Sequence, residues 1–226
     1  MQIISGRFRH RKLFTSPGLI TRPITARAKE SLFEHLNPWL PDARIADVFS
    51  GTGTMGIESL SRGAKSVLFI EQDKVAIELL RKNIEMLKIE DETFVWQTDV
   101  LRTSYRPKVR EEFVPYDVVF FDPPYKMVAQ IKPGRMLFRS LERIADERVT
   151  AADALVLFRT DDHPKFELPR AWEIERTLNY SSMNVFWLRK TGLVSSQDEI
   201  AEEEPQEVGD AEIQSDEMDQ RLDSEE

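Results

Sequence analysis

Tyr116-Asp117-Val118-Val119-Phe120-Phe121 is a nearly unbroken apolar run, and Asp122-Pro123-Pro124-Tyr125 ends it at once. A short apolar run rich in Val and Phe predicts a strand buried on both faces, the kind found in parallel sheets covered by helices. Two prolines stop it, because proline donates no ladder hydrogen bond and fixes φ. A carboxylate, a rigid turn and an aromatic ring therefore arrive together at the carboxyl end of a buried strand. That is the end at which open α/β sheets bind ligands. Taken alone, the four residues read equally well as an Asx-type turn with Tyr125 packed at the rim.

The surrounding pattern alternates strand and helix. Strands are predicted over Ile45–Phe49, Ser66–Ile70, Thr93–Trp96, Asp117–Phe121 and Ala154–Phe158. Helices are predicted over Thr54–Ser61, from an Asp73 cap with Ala76, Leu79, Leu80, Asn83 and Leu87 on one face, and over 136–146. Glu173–Leu178 and Val185–Leu188 close the pattern as a strand pair. Alternation followed by a terminal pair means an α/β fold with a mostly parallel sheet covered on both faces. Before it, Ile3-Ile4-Ser5-Gly6 and the return through Phe8–Phe14 predict a basic hairpin. Thr25 then caps a helix carrying Ala28, Leu32, Phe33 and Leu36, ended by Pro38 and Pro41. Lys29, inside that helix, reads as solvated. The four tryptophans, Trp39, Trp96, Trp172 and Trp187, read as core or rim residues.

Charge divides the chain further. The formal net charge is −9, but residues 196–226 hold 14 acidic residues and one basic residue, a net of −13, leaving residues 1–195 at +4. The first 29 residues carry seven basic residues and no acid. The expected organisation is a basic hairpin and helix extension over residues 1–40, a catalytic α/β domain over 41–193, and an acidic tail over 194–226. The tail is too polar to offset the ~1–2 kcal/mol per residue of backbone ordering, so disorder is expected there. There is no cysteine, which removes disulfides, thiolate metal sites and cysteine nucleophiles. No apolar run approaches the ~18 residues of a membrane span, and no signal peptide is recognised. A cytoplasmic monomer without a metal is expected.

Between the first strand and the next helix lies Asp47-Val48-Phe49-Ser50-Gly51-Thr52-Gly53-Thr54-Met55-Gly56, a G-x-G-x-x-G loop in its proper strand–helix setting. Glu71, at the end of the second strand, is placed to accept hydrogen bonds from ribose hydroxyls. NAD and S-adenosylmethionine both suit such a loop. An anion at Asp47 opposes a pyrophosphate and favours a cationic ligand, and nothing downstream points to hydride chemistry. S-adenosylmethionine is therefore the expected cofactor, with Asp47, Gly51, Gly53 and Glu71 in its site. Asp99, after the third strand, is read either as an acceptor for an adenine amine or as a turn-capping carboxylate.

With a methyl donor at the first strand, the Asp122 turn acquires a chemistry. Asp122 and the carbonyl of Pro123 can hold the hydrogens of an exocyclic base amine and aim its lone pair. Alignment of a poor nucleophile supplies most of the acceleration, Asp122 is the nearest proton acceptor, and Tyr125 offers a face on which a flipped base stacks.

Four stretches resemble the RsmD family of 16S ribosomal RNA guanine-N2 methyltransferases: Ile3–Gly6 with the basic residues that follow; Thr21–Arg27 leading into Glu30–Phe33; Asp47–Ala64; and Asp122–Tyr125. The resemblance spans roughly residues 1–190. It implies a seven-stranded Rossmann-like class I methyltransferase fold with an N-terminal hairpin. It also implies S-adenosylmethionine as cofactor and a guanine in 16S rRNA, or in an assembling small ribosomal subunit, as target. Asp47, Gly51, Gly53 and Glu71 fall in the cofactor region, and Asp122, Pro123, Pro124 and Tyr125 in the catalytic turn. Ala26 departs from the family, which usually has an acidic residue there, and the acidic tail has no family counterpart.

Independently of that resemblance, Arg7, Arg9, Arg11, Lys12, Arg22 and Arg27 form a basic arm suited to phosphates. His10 belongs with the arm. The tail could compete with RNA for it, or serve only solubility. Adenine-N6 methylation of DNA or RNA, a non-catalytic RNA-binding or assembly role, and NAD-dependent oxidoreduction are the competing functions.

Overall fold

The computed structural model describes residues 1–15 and 24–192; Arg22 of the basic arm and the acidic segment 196–226 lie outside the described residues. The strands are β1 (Arg44–Val48), β2 (Ser66–Glu71), β3 (Thr93–Gln97), β4 (Tyr116–Phe121), β5 (Thr150–Thr160), β6 (Trp172–Tyr180) and β7 (Met183–Lys190). The helices are α1 (Ala26–Leu36), α2 (Thr54–Ser61), α3 (Lys74–Leu87), α4 (Tyr125–Val128) and α5 (Met136–Ala145). The strands form one seven-stranded sheet in the order β3-β2-β1-β4-β5-β7-β6. β1 to β5 are parallel, and β7 inserts antiparallel between β5 and β6. The mostly parallel sheet expected from the strand–helix alternation is thus present.

The chain runs outward from β1 through β2 to β3, then returns to pair β4 with the other side of β1. That reversal opens a crevice at the carboxyl ends of β1 and β4. Register lines those ends up: Val48 pairs with Phe121, and Phe121 with Phe158. Side chains alternate between faces. Phe120 and Leu157 join a core with α1, α2 and α3, while Phe121 and Phe158 join a second core with α5.

Local signals explain the helices. The Thr25 hydroxyl accepts the Ala28 amide at 3.2 Å, capping α1, and Leu32, Phe33 and Leu36 are buried beneath it. Each such side chain contributes about 1.5–3 kcal/mol on burial. The Asp73 carboxylate accepts the Ala76 amide at 2.7 Å and caps α3. The buried face of α3 is Ala76, Ile77, Leu80, Asn83, Ile84 and Leu87; Leu79 lies half-buried at its margin, because the stripe is rotated towards Ile77.

The N-terminal hairpin forms as a narrow antiparallel pairing, with a bridge between Gln2 and Lys12 and bonds from the Ile3 amide to Arg11 O at 3.0 Å and from the His10 amide to Ile3 O at 2.9 Å. It docks on α2 through Glu58, which is fully buried. The Glu58 carboxylate accepts the Ile4 and Ser5 amides at 2.9 and 3.1 Å, Arg62 Nε at 3.0 Å and Lys29 Nζ at 3.0 Å. Lys29 is therefore not solvated: it is 1% exposed, and its ammonium also bonds the Thr54 carbonyl at 3.0 Å. The docking hairpin covers a position that helical periodicity alone leaves open. Among the described residues no helix is long and apolar enough to cross a membrane.

Candidate active site

Three charged side chains share one face of the sheet at the crevice. Asp47 pairs with Phe120 in register, so period-two alternation directs Asp47, Phe120 and then Asp122 to the same side. Arg159 follows Phe158, the partner of Phe121, and so stands beside Asp122 on the neighbouring strand. The Arg159 guanidinium grips the Asp122 carboxylate with two hydrogen bonds, Nε to Oδ1 at 2.7 Å and a second from Nη2 to Oδ2. Burial pushes the Asp122 carboxyl above its ordinary range, and the Arg159 charge pulls it back. The side chains keep 12% and 21% exposure for Arg159 and Asp122.

Asp47 is inside β1 rather than at its tip, and is 2% exposed. Its Oδ2 accepts the Gly56 amide at 2.9 Å, capping the first turn of α2 from the sheet. Desolvation pushes its carboxyl up to about 8; the Gly56 bond lowers it, and Asp122 and Glu71 raise it further. A cation brought into the crevice reverses that shift.

The glycine loop is held open. Phe49 and Ser50 both donate to Ile70 O, at 3.1 and 3.2 Å, and Phe49 adopts φ 63 to do so. Gly53, at φ 78, brings its Cα so close to the core that a Cβ would fall 2.4 Å from Leu80 Cδ1. Gly51, at φ 54, faces space with no atom within 4 Å of such a Cβ. Glu71 knits the loop to α3, with Oε2 accepting Gly51 N at 2.8 Å and Oε1 accepting Gln72 N and Asp73 N at 2.8 and 2.9 Å. A carboxylate has about four acceptor sites, so one remains for a ligand hydroxyl. Ser50 Oγ, in the same loop, is buried with no hydrogen-bond partner. The orphan hydroxyl, the open space at Gly51 and the acidic lining fit S-adenosylmethionine, whose ammonium and sulfonium groups are cationic.

The other candidates divide. Pro123 is buried, while Pro124 and Tyr125 are half-buried; Tyr125 opens α4 and packs against the α1–α3 core. Asp99 makes a turn, accepting the Leu101 amide at 2.9 Å, and lies 3.8 Å from Arg102. The arm does not act as a unit. Arg7 pairs with Glu92 just before β3, at the opposite edge of the sheet. Arg11 bonds Met86 O at 3.3 Å near the far end of α3. Arg9 and Lys12 are exposed on the hairpin, and Arg27 is exposed on the first turn of α1, the end of α1 nearest the glycine loop.

Arg159 and Ser50 are the site residues that sequence reasoning missed. The signal for Arg159 was a charge ending the apolar run Ala154–Phe158, in the position Asp122 holds on β4.

A family model described as conserved hypothetical protein 95 matches residues 1–211. Ribosomal RNA small subunit methyltransferase D of Haemophilus influenzae is 31% identical over 195 residues, 82% of this chain and 93% of that protein. Its Escherichia coli namesake is 31% identical over 179 residues, 78% of this chain and 83% of that protein. A solved Escherichia coli structure, yhhF, provisionally named a methyltransferase, superposes with a TM-score of 0.69 and 28% identity, covering 84% of this chain and 97% of that one. With a family match over residues 1–211 and two relatives aligned over most of their length, the chain belongs to the conserved hypothetical protein 95 family.

Proposed function

We propose that the protein is an S-adenosylmethionine-dependent RNA methyltransferase that modifies the exocyclic N2 amine of a guanine in small-subunit ribosomal RNA, as a cytoplasmic monomer. The observation that carries this reading is the placement of the Asp122–Tyr125 turn beside the glycine loop, at the crevice between β1 and β4. The rRNA substrate follows from relatives named ribosomal RNA small subunit methyltransferase D.

When bound, S-adenosylmethionine supplies an electrophilic methyl group on a positively charged sulfur. Asp47, Ser50, Gly51, Gly53 and Glu71 would hold its amino-acid end and ribose, and Asp99 would accept from its adenine amine. Asp122 and the Pro123 carbonyl accept hydrogen bonds from the target amine. They turn its lone pair out of conjugation with the ring and fix it at near-attack distance, the largest contribution a protein makes to a transfer between two bound molecules. With the cofactor bound, the aligned amine would be the nucleophile and the thioether sulfur the leaving group. Asp122 then takes the amine proton and passes it to solvent. Tyr125 stacks on the extruded base, worth about 1–3 kcal/mol. Exposed Arg9, Lys12 and Arg27 contact phosphates.

The test is methyl transfer to 16S rRNA and to small subunits from a strain lacking this protein, with the product nucleotide mapped by mass. N2-methylguanine at one site is the expected product. N6-methyladenine, or no transfer with S-adenosylmethionine bound, would overturn the reading.

A further inference from the structure

Asp122 is the residue assigned to hold the target amine, yet the face of its carboxylate that a two-pronged donor needs, one lone pair on each oxygen, is already taken by Arg159. The donors are two parallel N–H groups of a planar guanidinium, the fork that matches a carboxylate. Guanine carries the same fork on its Watson–Crick edge: N1–H and one N2–H, side by side on a planar N–C–N unit. Adenine does not, since its N6 donor sits beside the N1 acceptor. We propose that Arg159 is a built-in surrogate for the target edge, a positioning and specificity residue that occupies Asp122 until a guanine displaces it. This rests on the methyltransferase reading above and deepens it.

The surroundings support displacement rather than simultaneous binding. The cavity beside the pair measures about 20 Å³ and is lined by Leu32, Met55, Phe120, Leu157 and Val185. That is room for about one water. A purine reaches Asp122 only when the guanidinium leaves. Once it has left, the carboxylate accepts guanine N1–H and one N2–H, and the Pro123 carbonyl is left for the second N2–H. The released arginine needs an anion, and an extruded nucleotide brings one in its phosphate. Selectivity follows from what each base leaves behind. Guanine restores both hydrogen bonds of a partly desolvated carboxylate; adenine restores one and sets its N1 lone pair against the other oxygen, the kind of mismatch that sites built on buried polar groups reject strongly.

Two measurements on the full-length protein test this. First, in protein labelled with nitrogen-15 arginine and loaded with S-adenosylhomocysteine, the Arg159 Nε–H signal is assigned by its loss in Arg159→Lys. Saturating guanosine 5′-monophosphate should move or broaden that signal, while adenosine and inosine 5′-monophosphates, each lacking half of the fork, should leave it. An unmoved signal with guanosine monophosphate, or an equal response to adenosine monophosphate, overturns the proposal. Second, Arg159→Lys keeps the positive charge beside Asp122 but loses the planar fork. It should lower KM for rRNA roughly fivefold with kcat within about twofold and melting unchanged. A raised KM, or kcat lowered tenfold in a folded variant, overturns it. If the wild type gives no N2-methylguanine, the function assigned above fails, whereas the arginine signal still reports whether a guanine edge displaces Arg159.

Discussion

Replacing Glu58 by Ala should cost the protein about 4 kcal/mol, more than any other single polar substitution in the N-terminal region. Glu58 is 0% exposed and accepts four donors: the Ile4 and Ser5 amides, Arg62 Nε and Lys29 Nζ. Its removal leaves the 1%-exposed Lys29 without its counter-ion, and an uncompensated buried charge costs roughly 3–5 kcal/mol. Two amides losing their acceptor would add about 1–3 kcal/mol each if they stayed dry. The hairpin can lift and wet them, which keeps the total near the cost of the stranded charge alone. In a chain of this size each kcal/mol moves Tm by about 2–4 °C, so a fall of roughly 10 °C is expected. The pH dependence has a definite sign. Lys29, the two amides and Arg62 outweigh desolvation and hold the Glu58 carboxyl below its usual value of 4.5. The stabilisation is therefore complete above that value and is lost as pH falls through the lower folded pKa. Urea unfolding of Glu58→Ala beside wild type at pH 7 checks the magnitude, and repetition at acid pH, where the gap should narrow, checks the sign. A loss under about 1 kcal/mol at pH 7, or a gap that widens on acidification, would refute the buried-network account.

Cofactor affinity should rise with pH between 6 and 7.5, approaching tenfold per unit, because Asp47 is pushed up to about 8 in the free protein and ionises when a cation binds. Calorimetry in buffers of different ionisation enthalpy should register proton release, absent in Asp47→Asn. The same group makes folding less favourable as pH rises from about 4 to 8, since the folded state retains a proton the unfolded chain gives up. Asp122→Ala should abolish methyl transfer while cofactor Kd stays within a few fold; because it strands Arg159, a melting control belongs with it, and transfer at the wild-type rate would remove Asp122 from the mechanism. Arg27→Ala should lower the salt slope of RNA binding by about 0.7–0.9, the share of one phosphate contact. Arg7→Ala should change it by less than half that, because Arg7 is paired with Glu92 at the far edge of the sheet; equal slopes for the two would restore the arm as a single contact surface.

The crevice was legible because it is written in local signals. An apolar run ended by Pro123 and Pro124 fixes where β4 stops, and glycines after a strand fix where β1 hands over to α2. Arg159 was not legible, because its meaning depends on β4 and β5 being neighbours in register, which is a property of topology. A charge after an apolar run is otherwise indistinguishable from a solvated strand tip. Lys29 misled for the opposite reason. Lysine and glutamate are rarely buried unless paired, and the pairing here spans α1, α2 and a hairpin 53 residues upstream of Glu58. The basic arm was recognised by composition, but composition carries no direction; Arg7 on the hairpin is paired with Glu92 beside β3, while Arg27 stands exposed at the start of α1.

Both buried charge networks meet at α1. Lys29 on its second turn completes the Glu58 cluster that docks the hairpin, and Leu32, one turn later, walls the cavity beside Asp122 and Arg159. Ser31 between them lies 3.4 Å from the Tyr180 hydroxyl at the end of β6, and Phe33 packs on Phe120 with ring centroids 6.0 Å apart. A base entering at Arg159 therefore presses on the same helix that the hairpin holds in place. Interiors packed this tightly answer such pressure by shifting whole elements rather than by yielding locally. α1 has no ladder of its own and is held by its buried Leu32, Phe33 and Leu36, the Lys29–Glu58 ion pair and the Ser31–Tyr180 contact, while β4 and β5 are fixed by ladders on both sides. One helix thus carries both the lysine that completes the Glu58 network and the leucine that walls the proposed Asp122 site.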